Sequence, residues 1–141
     1  MKGEKKTLKV GDILFVRRGS YRIGSVAMVS PYDVNVLLTR EILVLRVNDS
    51  VKNNDNYGLT SHYLLYLLSH RLVSMQSFKK VLIETTLPNI ANRWQELKLP
   101  LIEDASIRQG VIGQIEDVIQ AKWSAMEKLH QVQKEHGELV T

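Results

Sequence analysis

The feature that most constrains the fold of this chain is a long proline-free stretch near its C-terminus. Residues 107–136 contain only two glycines, and Asp104 or Ser106 can cap a helix that begins there. Gly137 is a natural stop for the same helix. About 30 residues at ~1.5 Å each give a rod of roughly 45 Å, which is longer than a domain of this size can cover. We therefore expect one long helix that extends beyond its own domain.

The apolar residues of this helix repeat every seven positions and form a seam, with a second apolar stripe beside it. The residues that we expect to contact a partner helix are Val111, Ile115, Val118, Ile119, Ala125, Met126, Leu129 and Val132. Lys122 interrupts the seam, so its aliphatic stem would have to carry the ammonium group to solvent. Two interpretations remain open: the seam pairs with a partner, or it packs against its own domain.

The first part of the chain predicts a small β structure. Four short runs are rich in β-branched and apolar residues and are separated by glycine, proline and polar residues, namely residues 13–16, 25–29, 34–38 and 42–47. Residues 80–85 are also strand-like. The fold class we expect is α+β, a small twisted or barrel-like sheet with short helices and a long C-terminal helix. Residues 1–104 would form one domain and residues 105–141 the helix.

Two short helices are expected between the strands and the long helix. Thr60 or Ser61 can cap the first, which should end near Ser69 and bury its leucines. A second, shorter helix is expected at residues 72–76. The Asn- and Asp-rich segment 48–58 before them has the composition of a loop.

Composition sets only broad limits on function. Lys and Arg outnumber Asp and Glu by 19 to 15, giving a net charge of +4 that would favour a polyanion if it were clustered. The chain has no cysteine, which excludes disulfides, thiolate metal sites and a cysteine nucleophile. It also lacks a signal-like or membrane-spanning apolar run, so we expect a soluble, cytoplasmic protein without a membrane partner.

The densest basic cluster lies on the expected loop after the first strand. It contains Arg17, Arg18, Ser20, Tyr21 and Arg22. Arginine can bind phosphates or guanine edges through two hydrogen bonds, and tyrosine and serine can add hydrogen bonds or stacking. The cluster is a candidate DNA-binding loop, although a solvated hairpin tip would look the same.

A second candidate is the polar segment 85–94 around Pro88. Thr86, Asn89 and Arg93 could contact bases or phosphates there, and Lys79 and Lys80 just upstream could contact phosphates. The alternative is a structural loop, and for Trp94 we expect that alternative, with the ring anchored to the core.

The residue types disfavour catalysis. The four histidines form no HExxH or other close ligand pair, so no metal site is expected. No glycine-rich nucleotide loop and no Asp/Asn-Pro-Pro-aromatic segment of an amino-methyltransferase is present, so no cofactor is expected either. We expect a protein that is not an enzyme.

Several short motifs, in the same order along the chain, resemble the specificity subunit of type I restriction enzymes. They include Gly11-Asp12-Ile13-Leu14-Phe15, Arg18-Gly19, Ile23-Gly24, Thr39-Arg40, the leucines at 64–68, Thr86-Leu87-Pro88-Asn89-Ile90 and Leu99-Pro100-Leu101. The chain is equally similar to the target-recognition region of related adenine DNA methyltransferases. The resemblance covers about residues 8–136.

This resemblance implies a target-recognition domain joined to a long helix. It implies that loops read double-stranded DNA and that methyltransferase and restriction subunits carry out the chemistry. It also implies that residues 17–22, which we call the arginine loop, and residues 86–93 lie near DNA. The chain departs from the pattern, because the upstream half of a recognition domain is missing and only one domain-plus-helix unit is present. We therefore expect a homodimer or a fragment of a longer chain.

Two functions follow from these expectations. In the first, two copies pair their helices antiparallel and hold two recognition domains apart, about one turn of DNA between half-sites. In the second, the chain is a protein-interaction or oligomerisation module that does not bind DNA by itself.

Overall fold

A computed structural model of the chain describes residues 7–18, 23–48, 59–79 and 91–137. The elements in chain order are strands β1 (Ile13–Val16), β2 (Val26–Met28) and β3 (Ile42–Leu45), helices α1 (Ser61–Ser69) and α2 (Arg71–Lys79), a 3₁₀ helix (Ala91–Glu96) and the long helix α3 (Ala105–His136). A small antiparallel sheet with helices confirms the α+β class.

The sheet has the order β2-β1-β3, with β1 antiparallel to both neighbours. In the register of the sheet, Ile13 of the central strand β1 lies opposite Met28 of β2 on one side and opposite Leu45 of β3 on the other. Side chains alternate along β1, so Ile13 and Phe15 are fully buried while Leu14 packs into a cluster on the opposite face. Within the described residues this is an open sheet of three strands rather than a barrel.

The expected strand at residues 34–38 does not form. Consecutive turns cross it instead, with the Asp33 N–H donating to Ser30 O at 3.1 Å and the Val36 N–H donating to Asp33 O at 3.1 Å. The segment folds over the second face of the sheet, where Val34 and Leu38 pack with Leu8 and Val29. The strand expected at residues 80–85 lies outside the described residues.

Helix α1 begins and ends where the sequence predicts. The Thr60 hydroxyl accepts a hydrogen bond from the Tyr63 N–H at 3.2 Å, and His70 leaves the helical conformation after Ser69. Helix α2 is longer than the expected 72–76, and at its start His70 Nδ1 accepts a hydrogen bond from the Leu72 N–H at 3.2 Å. Its inner face then reaches one turn further than predicted.

Helix α3 is continuous over 32 residues. Asp104 is its cap and accepts from the Ile107 N–H at 2.9 Å, as predicted, and the helix stops at Gly137. At ~1.5 Å per residue it is about 48 Å long. Its first half belongs to the core: Ile112 packs with Tyr63 and Leu67, and Ile119 packs with Ile13.

Candidate nucleic-acid interface

The base of the arginine loop is held by backbone hydrogen bonds between β1 and the start of β2. The Gly24 N–H donates to Val16 O at 2.8 Å, and the Val16 N–H donates to Ser25 O at 3.0 Å. Gly24 has φ +90°, and a Cβ there would lie 3.2 Å from the Cβ of Ser77 on α2. Glycine is therefore required on both conformational and steric grounds, and it brings the loop base against the end of α2.

Arg17 joins the loop base to the turn that precedes β3. Its N–H donates to Glu41 O at 2.9 Å, and its Nε donates to Arg40 O at 2.9 Å. Arg40 was not among the residues that we expected at the interface, because it is a single basic residue. The signal available in the sequence was the polar turn Thr39-Arg40-Glu41 between two apolar runs.

The 3₁₀ helix packs against the same end of the sheet. Trp94 is partly buried against the cluster of Phe15 and Ile23, as the sequence led us to expect for this ring. Arg93 in the same short helix donates from Nε to a Glu96 carboxylate oxygen at 3.1 Å. Its charge is therefore partly neutralised within the protein.

The structure thus brings together several residues that are distant in sequence. Arg17 and Arg18 follow β1, and Lys79 ends α2 two residues after Ser77. Arg93 directly precedes Trp94, whose ring packs against Phe15. These elements converge at one end of the sheet. The side chain of Lys79 is outside the described part of the chain, and so are the remaining expected DNA-binding residues, Ser20, Tyr21, Arg22, Lys80, Thr86 and Asn89.

The opposite end of the sheet carries a structural ion pair that sequence reasoning missed. Asp12, which is 2% exposed, accepts from Arg46 Nε at 2.7 Å and from Arg46 Nη2 at 2.6 Å, and also from the Lys9 N–H at 2.8 Å. Burial raises the pKa of Asp12, but the hydrogen bonds from Arg46 and Lys9 and their charges outweigh it, so the pKa lies below its usual 3.8. The pair ties the start of β1 to the residue after β3.

The expected partner-binding residues of α3 divide between two faces. Ile119 lies in the core, which corrects its assignment to a partner contact, and Val111, Ile115 and Met126 are partly buried. The exposed members are Val118, Ala125, Leu129 and Val132. Val118 is 62% exposed, Leu129 60% and Val132 54%. We call these four residues the open stripe. Lys122 is exposed beside them.

The C-terminal half of α3 contacts the domain at the turn after β2, which contains Tyr32. The rings of Tyr32 and His130 have centroids 6.2 Å apart, tilted by 38°. Burial and the nearby Glu127 carboxylate raise the pKa of Tyr32. This contact leaves the open stripe exposed.

Residues 7–18, 23–48, 59–79 and 91–137 contain neither a cluster of metal-binding side chains nor a helix that could span a membrane. No group of three or more His, Asp or Glu side chains there could hold a metal ion. None of the helices in these ranges has the length and hydropathy that crossing a bilayer requires.

No model of a known protein family matches the chain, and no curated protein matches it either.

Proposed function

We propose that the chain is a DNA-recognition component of a restriction–modification system. It has no catalytic activity of its own and directs a methyltransferase, with or without an endonuclease, to a DNA sequence in the cytoplasm. The observation that supports this proposal best is that Arg17 and Arg18 leave the sheet directly after β1, on the same part of the sheet where the 3₁₀ helix packs through Trp94 against Phe15 and Ile23.

A sheet end is a suitable platform for reading DNA. The backbone hydrogen bonds at Val16 and Gly24 fix where the loop leaves the sheet, so arginine side chains start from defined positions. Guanidinium groups can neutralise phosphates and can also read guanine in the major groove. Affinity and sequence preference can then come from the same end of the domain.

The long helix supplies the second part of this function. Its open stripe would be covered when two copies pair, and the paired helices would hold two recognition ends apart for two half-sites of DNA. The same helix offers the methyltransferase subunit a surface for docking.

The test is a salt titration of binding to duplex DNA. We expect the affinity of the chain to fall steeply with salt, because each phosphate contact releases counterions. The variant Arg18→Ala/Arg22→Ala should bind more weakly and with a smaller salt slope. The matched control is Lys128→Ala/Lys134→Ala, which removes the same charge from exposed positions on α3 and should bind like the parent.

Two results would count against DNA recognition. One is an absence of duplex binding by the parent chain, alone and with a methyltransferase subunit. The other is an equal loss of affinity in the loop variant and the helix control, which would indicate a general charge effect rather than a site. Methylation by the isolated chain would contradict the non-catalytic assignment.

A second candidate is a protein-interaction module that does not bind DNA by itself. The observation that favours it is the open stripe, since Val118, Leu129 and Val132 expose apolar surface while Arg93 already has a carboxylate partner. Under this function the parent would associate through α3 and show no salt-dependent DNA binding.

A further inference from the structure

The neighbouring residues Arg17 and Arg18 differ in what their side chains contact. Arg17 is fixed by two hydrogen bonds of 2.9 Å to the turn before β3, one from its N–H to Glu41 O and one from its Nε to Arg40 O. One donor of the Arg17 guanidinium, its Nε, is therefore already bound to a carbonyl of the protein. Removing the side chain should loosen the turn as well as remove a charge.

Arg18 has no such anchor. Its Nε is shut off from solvent, and among the residues that the structure describes no acceptor takes a hydrogen bond from it. Arg18 as a whole is partly exposed, so an anion in solution has access to the part of the residue that is not enclosed. A buried donor without an acceptor costs about 1–3 kcal/mol, so the enclosed Nε does not stabilise the fold, and only the outer nitrogens of the guanidinium are left for an acceptor outside the protein.

We infer that Arg18 is a phosphate contact of this interface and that Arg17 is a positioning residue that holds the turn at Arg40. This inference rests on the proposed function and assigns different roles to two arginines that the sequence treats alike. The phosphodiester oxygens of DNA would accept hydrogen bonds from the Arg18 guanidinium, whose planar fork can bind two of them at once. Arg17 would act through the position of the turn.

The location of Arg18 favours a phosphate over a base edge. It directly follows Arg17, whose backbone N–H is bound to Glu41 O, so its Cα is held beside the sheet rather than on the tip of the loop. Contacts from such fixed positions orient a protein on the duplex, whereas base reading depends on groups that reach into a groove. The contribution of Arg18 should therefore be the same for different DNA sequences.

The experiment compares Arg18→Ala, Arg18→Lys and Arg17→Ala with the parent on two duplexes of unrelated sequence. Arg18→Ala should weaken binding about 10-fold to 100-fold on both duplexes, the range expected for one hydrogen bond to a charged group. Its log–log salt slope should fall by about 0.9, the contribution of one phosphate. Arg18→Lys should keep the slope but bind more weakly than the parent, because lysine cannot form the two parallel hydrogen bonds.

The melting temperature separates the two roles. Arg17→Ala should lower the melting temperature and keep the parental salt slope, whereas Arg18→Ala should leave the melting temperature unchanged or raise it. The inference is overturned if Arg17→Ala lowers the slope as much as Arg18→Ala does. It is also overturned if Arg18→Ala affects only one of the two duplexes.

A second arm uses inorganic phosphate and does not depend on DNA. Replacing chloride with phosphate at equal ionic strength should raise the melting temperature of the parent and of Arg17→Ala more than that of Arg18→Ala, because an anion that binds the folded state stabilises it. Equal shifts in all three would overturn the role of Arg18. If the parent binds no duplex but shows the Arg18-dependent phosphate shift, the DNA-recognition function fails and the anion site stands.

Discussion

Two adjacent residues of the long helix, Ile119 and Val118, have opposite environments. Ile119 is 8% exposed and packs against Ile13 and Met28 of the sheet, whereas Val118 is 62% exposed. Both are β-branched and apolar, and both belong to the same repeating pattern. Because successive residues on an α-helix are rotated by about 100°, the domain covers one stripe and leaves its neighbour in water.

The same contrast applies to charged groups. The Asp12 carboxylate is enclosed and holds Arg46 through two short hydrogen bonds, whereas Glu135 and His136 at the end of α3 are both more than half exposed and 4.0 Å apart. A feature that looks equivalent in sequence thus contributes differently depending on whether other elements cover it. Three measurements test whether covered and exposed groups of the same type differ in this way.

The largest effect on stability is expected from shortening Ile119, the buried residue of this pair. Ile119→Ala should lower the free energy of unfolding by about 2–5 kcal/mol, because it removes buried methyl groups and leaves a cavity. The matched variant Val118→Ala should change it by less than about 0.5 kcal/mol. Urea unfolding followed by circular dichroism measures both, and equal losses would show that the two stripes are covered alike.

A smaller effect is expected from the enclosed ion pair. Asp12→Asn should cost about 1–3 kcal/mol at neutral pH, because Arg46 and the Lys9 N–H lose a charged acceptor. The folded state lowers the pKa of Asp12, so its contribution is complete above the usual value of 3.8 and is lost as the pH falls through the folded-state pKa.

The difference in stability between parent and Asp12→Asn should therefore be constant from pH 7 to about pH 5 and shrink at more acidic pH. Urea unfolding at several pH values measures it. The control Glu135→Gln, on the exposed pair, should leave stability and its pH dependence unchanged. A difference that grows on acidification would contradict the sign of the pKa change.

The smallest effect on folding is expected from the open stripe. Leu129→Asp should change the stability of the folded chain by less than about 0.5 kcal/mol, since the side chain is 60% exposed. If the stripe pairs with a second copy, as we propose, light scattering should show a parent dimer that becomes monomeric in this variant. Gln120→Asp adds the same charge at an exposed position outside the stripe and should remain dimeric. A parent monomer, or a Leu129→Asp dimer, would contradict pairing through this stripe.

The elements set by local chemistry could be predicted from the sequence. Thr60 and Asp104 cap α1 and α3 where their side-chain oxygens can satisfy free N–H groups, and the apolar runs at β1 and β3 form strands. These outcomes depend on residues within a few positions of one another. The arginine cluster after β1 could likewise be identified as a candidate site from residue type alone.

How these parts are used depends on contacts between residues that are far apart in the sequence. The partners Asp12 and Arg46 are 34 residues apart, and nothing local indicates that they meet. The same is true of Arg17 and Arg40, and of the turns that fold residues 34–38 over the sheet instead of pairing them into it. The seven-residue pattern determined that α3 has a wide apolar face, but the sheet and α1 decided which part is buried, because burial depends on what packs against a face and not on its hydrophobicity.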